Sequence, residues 1–482
     1  MERKSNQGLT VKKSEDFSKW FSEVIEKADI VDLRLDMKGF MVFCPWGATI
    51  LEKIFRLFSD ELERRGHKQT FMPTVIPEEN LKKESSHIQG FNPEVFWLKE
   101  INKEKLALRP TSETLYTPMF KLWIRSHRDL PLKLYQRGSV FRLDTKSTRP
   151  LIRTREILWI EAHDAFATKA QAEAQVQEDI QITENVMHKK LGIPFLPMKR
   201  PSWDKFAGAE YTIGSDVMMP DGKLIQQPST HLMGQKFSKA FGATFKNEKG
   251  KEEFLYTTAY GPAMSRILAS VISMHGDDKG LILPSLVSPM QVVIVPIFKK
   301  ENKNLIIKEA NKIKEKIQEL GIKTELDLSE KSPGEKFHIW ELKGVPLRLE
   351  IGENELKAKE LTLFIRTSDK KEKINISEIK KLSTIIEKYD QDLFKKADNT
   401  MKGQIIDAKN KKEVLDILDK GHIARVNFCS IDEPGAKCAA VVEKEMNAEV
   451  RGTMANKKES PIGNCLICGK KANEVVYLGR SY

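Results

Sequence analysis

The chain has 482 residues, of which 40% are hydrophobic and 31% charged, and carries a formal net charge of +12 at pH 7. A length of that order favours about three domains with full cores, and the apolar content excludes disorder over most of the chain. No apolar run approaches the roughly 18 residues of a membrane span, and the sign of the basic excess fits a polyanionic partner such as nucleic acid, a lysine-rich solvated surface being an equal alternative from charge alone.

Residues 1–13 are polar and lack an apolar signal core, which predicts a loose arm on a cytoplasmic protein. Phe17, Trp20, Phe21, Val24 and Ile25 recur at i, i+3, i+4, i+7, i+8 and predict a helix with one apolar face. A second helix is expected from about Ile50, with Leu51, Phe55, Phe58 and Leu62 on its face and Gly66 as its stop. The stretch 69–76 is strand-like but broken by Pro73, which places Pro73 at a strand edge or a subunit contact. Residues 134–143 and 157–166 predict strands on either side of a charged hinge at 144–153. A helix over 169–191 is closed by Gly192 and Pro194. Successive strands with short polar turns predict an antiparallel sheet.

The pattern changes near Pro289. Residues 292–295 form a β-branched run, fit for a buried strand that ends at Pro296. An amphipathic helix follows (Leu305, Ile306, Ala310, Ile313, Ile317, Leu320), closed by Gly321. Strands are expected at 323–328, 346–351 and 361–365, which predicts a small α/β domain with parallel pairing. Ser377 is a plausible N-cap for a charged helix running to about Ala397. The last unit carries Cys429, Cys438, Cys465 and Cys468. Five cysteines in so long a chain do not make a secreted disulfide framework, and Cys44, far from the rest, reads as a small core residue.

Several segments carry chemistry. In Arg109-Pro110-Thr111-Ser112-Glu113, a hydroxyl and a carboxylate two apart on an extended segment point the same way and would grip an ammonium. The competing reading is a turn or helix cap. Phe141-Arg142-Leu143-Asp144, with Arg149, Arg153 and Arg155, gathers guanidinium groups that repel one another unless an anion such as a phosphate chain lies between them; surface ion pairs are the alternative. Trp159, Glu161 and His163 alternate along a strand and face one side, which suits a pocket wall, a structural histidine being the plainer alternative. Residues 205–209 form a small-residue turn that lets backbone approach a ligand. Residues 226–231 read as a polar turn leading into a helical stretch at 234–241. Gly261-Pro262-Ala263-Met264-Ser265-Arg266 opens a helix with one positive charge near its start.

The order and joint occurrence of these segments resemble the three signature motifs of class II aminoacyl-tRNA synthetases, and most closely the archaeal/eukaryotic-like prolyl-tRNA synthetase family. The likeness runs from about residue 15 to Tyr482. Pro73 after Gly66 resembles motif 1, residues 141–163 resemble motif 2, and residues 261–266, with 275–280 after them, resemble motif 3. The Arg109–Glu113 and Lys205–Ala209 stretches point to proline, and residues 343–352 resemble the subgroup's anticodon-binding domain.

The resemblance implies an α+β chain: an antiparallel-sheet class II catalytic domain over 1–287, an α/β anticodon-binding domain over 288–400, and a small α/β C-terminal zinc-binding domain over 401–482. It implies that Thr111 and Glu113 hold the imino nitrogen of proline. Trp159, Glu161, His163, Phe206 and His231 would shape the ring pocket. Arg142 would sit between the substrate carboxylate and the α-phosphate, and Asp144, Arg153, Thr154, Gln226, Ser229 and Arg266 would complete the ATP site. Arg142 and Arg266 are the implied catalytic groups, with Mg²⁺ on the nucleotide. The chain departs from the family in having Asp144 for a usual Glu, Pro228-Ser229-Thr230 for a usual Gly-Thr-Ser, and one extra residue between Gly261 and Arg266. The implied partners are tRNA(Pro), proline, ATP and a second copy of the chain in a homodimer, with no membrane. The interval between motifs 2 and 3 is taken up by core elements, so no in-chain editing insertion is expected. A catalytically silent tRNA-binding paralogue and a same-subgroup synthetase for another amino acid are the alternatives.

Cys465-Leu466-Ile467-Cys468-Gly469 has the spacing of a zinc knuckle, and Cys429 and Cys438 would complete a four-thiolate structural site. The other readings are four reduced thiols, or three ligands with Cys438 free.

Overall fold

The structure, a computed structural model, describes residues 8–87, 94–100, 104–143 and 147–482. Among these residues the principal sheet has eleven strands. Their spatial order is Ile405–Asp407, Ile423–Phe428, Glu474–Gly479, Glu449–Met454, Leu196–Lys199, Tyr211–Met218, Leu224–Gly234, Tyr256–Gly261, Glu156–Phe166, Leu132–Phe141 and Lys68–Gln69. Every neighbouring pair is antiparallel except the two outermost; the short link from Tyr211–Met218 to Leu224–Gly234 permits no other pairing of those two.

The long strand Glu156–Phe166 shows how the sheet divides core from cleft. Ile160 and Ala162 enter the main core, while Trp159, Glu161 and His163 face the other side. That core is built by the helices Phe17–Lys27, Pro45–Arg64 and Met264–His275. The last of these is buried on nearly every side because it is apolar almost throughout, from Ile267 to Ile272.

A second, five-stranded sheet has the order Thr324–Leu326, Val292–Pro296, Leu347–Ile351, Glu360–Ile365, Lys370–Asn375. The first three strands pair in parallel as expected, but the last two are antiparallel, so the sheet is mixed. The last two strands are joined by the tight turn after Ile365, in which Asp369 takes φ +56°; so short a link can only join antiparallel neighbours. The C-terminal unit joins the rest of the principal sheet through Thr453 opposite Lys199 and Met454 opposite Met198.

Several local expectations need correction. The second helix starts at Pro45, an N1 proline whose fixed φ suits a first turn. The stretch 69–76 divides between two sheets, with Lys68–Gln69 in one and Val75–Pro77 in another. Residues 109–113 are not one extended run: Ser112 is an N-cap and Glu113 opens the helix Glu113–Trp123. Residues 226–231 are not a turn but part of the strand Leu224–Gly234, which bulges between Gln226 and Ser229 where Pro228 cannot donate to a ladder. The helix expected over 169–191 becomes a π turn at Glu184–His188. Asn375, not Ser377, caps the short turn after the second sheet, and the long helix begins at Lys381. From Gly8 onward the arm is pinned, Lys13 Nζ donating to Gly276 O at 2.7 Å. No helix among the described residues is long and apolar enough to cross a membrane.

Candidate active site

A cavity of about 200 Å³ opens on the sheet face away from the main core. One half of its lining is acidic and aromatic. Thr111 Oγ1 donates to Glu113 Oε2 at 2.5 Å and lies 3.2 Å from Glu161 Oε1. The helix start at Glu113 brings these groups together as effectively as an extended segment would. Ser112 Oγ (2.6 Å) and Gln136 Nε2 (3.0 Å) fix Glu161 from behind. Burial pushes the Glu113 carboxyl above its ordinary range, opposed by the His163 cation and reinforced by Glu161. Burial also works against the Glu161 charge, but His163, Ser112 and Arg109 hold it at about 2. Both carboxyls face the cavity, where a ligand cation would relieve the like-charge repulsion between them.

Trp159 Nε1 and His163 Nε2 are buried and have no hydrogen-bond partner among the described residues. Each is a polar atom left for a ligand to satisfy. The Trp159 indole lies close against Gly261, where an added Cβ would stand 2.5 Å from Cζ2. His231 contacts Thr212 Oγ1 at 2.8 Å and Ser229 Oγ at 3.0 Å. Burial, then the His163, Arg142 and Arg200 cations, push it down to about 3, so its ring is neutral at pH 7. Phe206 packs on that ring with centroids 4.9 Å apart.

The other half is cationic. Arg142 follows the strand Leu132–Phe141, with its guanidinium 5.7 Å from the Trp159 ring centre. Arg266, in the first turn of Met264–His275, is braced by Ile152 O (3.0 Å) and Gln226 O (3.4 Å). Arg153 lines an adjoining cavity of about 220 Å³ together with Gln226, Arg266, Arg451 and Tyr482. Burial, then Arg142 and Arg153, push the Arg266 guanidinium down to about 10. Among the described residues none of the three arginines is ion-paired with a carboxylate. Such a cluster attracts an anion, which guanidinium forks bind bidentately.

Of the expected site residues, Thr111, Glu113, Arg142, Trp159, Glu161, His163, Phe206, Gln226, Ser229, His231 and Arg266 therefore line one cavity. Arg153 lies in the cavity next to it. Thr154 is turned away, donating to Glu156 O at 2.7 Å, and Asp144 lies outside the described residues. The sequence reading missed Thr212, Gln136, Arg451 and Tyr482. Tyr482 N donates to Leu224 O at 3.3 Å, which carries the end of the chain alongside the Gln226 strand. No spacing signal links residues so far apart in the chain.

Outside this cavity, one sulfur from each of Cys429, Cys438, Cys465 and Cys468 lies within 4.8 Å of all the others. The Sγ atoms of Cys429 and Cys438 are 3.7 Å apart. A tetrahedral zinc with bonds of about 2.3 Å requires sulfurs about 3.8 Å apart, so the donor set fits that ion. Gly469, at φ +70°, closes the knuckle with its N–H on Cys465 O.

Known proteins resemble this chain over nearly its whole length. Residues 96–275 match the family model described as tRNA synthetase class II core domain (G, H, P, S and T). Residues 291–384 match an anticodon binding domain, and residues 411–482 match Prolyl-tRNA synthetase, C-terminal. The chain is 47% identical to a proline–tRNA ligase of Thermofilum pendens, over 99% of this chain and 100% of that one. It is 41% identical to one from Methanopyrus kandleri, over 97% and 96%. The fold is similar to Giardia lamblia prolyl-tRNA synthetase in complex with prolyl-adenylate, with TM-score 0.94, 35% identity and coverage of 98% and 100%. It is also similar to the Cryptosporidium parvum prolyl-tRNA synthetase complexed with halofuginone and AMPPNP, with TM-score 0.90, 32% identity and coverage of 98% and 99%.

Proposed function

The chain belongs to the prolyl-tRNA synthetase family of class II aminoacyl-tRNA synthetases and is a proline–tRNA ligase, and from that premise we propose a division of labour across its cleft. The enzyme activates L-proline with ATP to prolyl-adenylate and transfers the prolyl group to the 3′ end of tRNA(Pro). Thr111 and Glu113 take the imino nitrogen, and Trp159, Glu161, His163, Phe206 and His231 enclose the ring. Arg142 lies between the proline carboxylate and the α-phosphate, while Arg153, Gln226, Ser229 and Arg266 hold the nucleotide. Asp144 and Thr154 belong to the same ATP site by resemblance alone.

In the first step a proline carboxylate oxygen attacks the α-phosphorus in line. The new P–O bond forms as the bond to pyrophosphate breaks. Two anions must meet, so the main catalytic need is positive charge that is already in place; Arg142 and Arg266 supply it. No general base is needed, because the nucleophile is already ionised. ATP enters as its Mg²⁺ salt, the ion offsetting phosphate charge. In the second step the terminal 3′-hydroxyl attacks the prolyl carbonyl, and AMP and a proton leave.

The domain over 288–400 reads the anticodon, where unpaired bases are stacked and hydrogen-bonded, and tRNA affinity falls with salt. The four cysteines over 401–482 hold a structural zinc. A homodimer through the Pro73 segment accounts for Phe71 beside it, which is 80% exposed. The enzyme works in the cytoplasm, where its tRNA is. No hydrolytic editing site is assigned within the chain; alanyl-tRNA(Pro) broken down well above the spontaneous rate would overturn that.

One observation carries the reading: an ammonium grip at Thr111 and Glu113 shares a cavity with the unpaired guanidiniums of Arg142 and Arg266. The test is ATP–pyrophosphate exchange with each proteinogenic amino acid in turn. Proline-dependent exchange is expected. Exchange with another amino acid would make the chain a same-subgroup synthetase for that substrate, and none at all would make it a silent tRNA-binding paralogue.

A further inference from the structure

Behind the nucleotide half of the cleft, Asp216 and Arg451, from two strands of the sheet, and Arg200, just past the end of a third, meet out of water. Asp216 is fully enclosed, and Arg200 and Arg451 are 3% and 5% exposed. Arg200 donates to both Asp216 oxygens, Nη1 to Oδ2 at 2.8 Å and Nη2 to Oδ1 at 2.5 Å. Arg451 does the same from the other side, Nε to Oδ2 at 2.9 Å and Nη2 to Oδ1 at 2.8 Å. Arg200 Nη1 also donates to the Arg451 carbonyl at 2.9 Å. Burial alone would raise Asp216, but the two guanidiniums hold it at about 2, so it is a permanent charge. Gly214 keeps the lane open, since a Cβ there would stand 2.6 Å from Arg200 Nη2.

The cluster's hydrogen bond to the cleft wall runs through Gln226, while Arg451 itself also lines the adjoining cavity. Arg200 Nη2 donates to Gln226 Oε1 at 3.1 Å. A guanidinium has donors only, so it fixes which way the amide turns: the oxygen faces Arg200, and both Nε2 hydrogens are left for the cavities that Gln226 lines. Arg451 does not belong to the catalytic part of the chain. It comes from the strand Glu449–Met454 of the cysteine-bearing unit.

We infer that Arg451 is a positioning residue for ATP: through Asp216 it holds Arg200, and Arg200 holds the Gln226 amide with its N–H groups presented to the nucleotide. Without Arg451, Asp216 loses two of its four bonds. Arg200 is then free to swing toward Asp204, which lies 3.8 Å from its Nε, and away from Gln226. The inference rests on the reading of Gln226 as an ATP contact.

The test is ATP–pyrophosphate exchange with KM for ATP and for proline fitted separately. It compares wild type, Arg451→Met, Arg451→Lys, Gln226→Ala and the double variant Gln226→Ala/Arg451→Met. Arg451→Met is expected to raise the KM for ATP about tenfold. The KM for proline, set at the other end of the cleft, should stay within about twofold. Arg451→Lys keeps the charge but not the fork, and is expected to behave like Arg451→Met. The double variant is expected to be no worse than Gln226→Ala alone. An unchanged KM for ATP in Arg451→Met, full rescue by Lys, equal rises in both KM values, or effects that multiply in the double variant would overturn the inference. Gln226→Ala with an unchanged KM for ATP would instead overturn the reading of Gln226, and the inference with it. If Arg451→Met does not fold, Arg451→Lys is judged by the same criteria.

Discussion

His163 Nε2 stands 3.8 Å from Glu161 Oε1 on the floor of the cleft, near enough for Coulombic attraction and too far for a hydrogen bond. Burial works against charging His163, yet Glu161, Glu113 and Asp164 raise it above its ordinary 6.5. Its contribution is therefore fully present below pH 6.5 and lost as pH climbs through the raised value. Glu161, lowered from 4.5 to about 2, contributes above pH 4.5 and loses that contribution as pH falls toward 2. Both are intact between about pH 4.5 and 6.5. His163→Asn is expected to cost about 1–3 kcal/mol of stability near pH 6, with the gap to wild type closing at alkaline pH. A denaturant series across pH checks this. A gap that grows with rising pH would contradict it.

Arg142 and Arg266 act on the charge that builds up at the α-phosphorus. Arg142→Gln is expected to slow adenylate formation about 10²–10³-fold while the fold is retained. Circular dichroism beside single-turnover adenylate assays would show both. Undiminished turnover would mean that the arginine cluster is not the catalytic device.

Thr111 accepts a proline N–H only if it is not serving the helix cap, and Ser112 occupies that position. Thr111→Val should lower kcat/KM for proline about tenfold while leaving the KM for ATP near wild type. Separate titrations of the two substrates decide it, and a loss confined to ATP would exclude the role.

The cysteine cluster makes a prediction that does not involve catalysis. Metal analysis is expected to find one zinc per chain. Cys465→Ser, or a strong chelator, should release it and add an early unfolding transition, because the sulfurs anchor the core around Phe428, Val442 and Val450. Stoichiometric metal in Cys465→Ser, or none in wild type, would argue against the site.

Much of the site was legible because period-two alternation is local. Trp159, Glu161 and His163 face one way simply because they alternate on a strand. Other placements came only from the resemblance, since Phe206 and His231 carry no spacing signal of their own. The segment at 226–231 misled because Gln-Gln-Pro-Ser-Thr is poor strand material; pairing on both sides overrides that preference, and the proline is absorbed in a bulge. The Arg200–Asp216–Arg451 cluster was invisible because its members become neighbours only once distant strands pair across the sheet.

That pairing also bears on how the enzyme can be shortened. The strand Glu449–Met454 covers one flank of the catalytic sheet, with Thr453 and Met454 laid against Lys199 and Met198. A chain cut after residue 400 would leave the backbone of Leu196–Lys199 as an open template, able to recruit the same segment from another copy. The result would be self-associating material rather than a smaller soluble catalyst, so an inactive truncation of this kind would report on aggregation and not on chemistry.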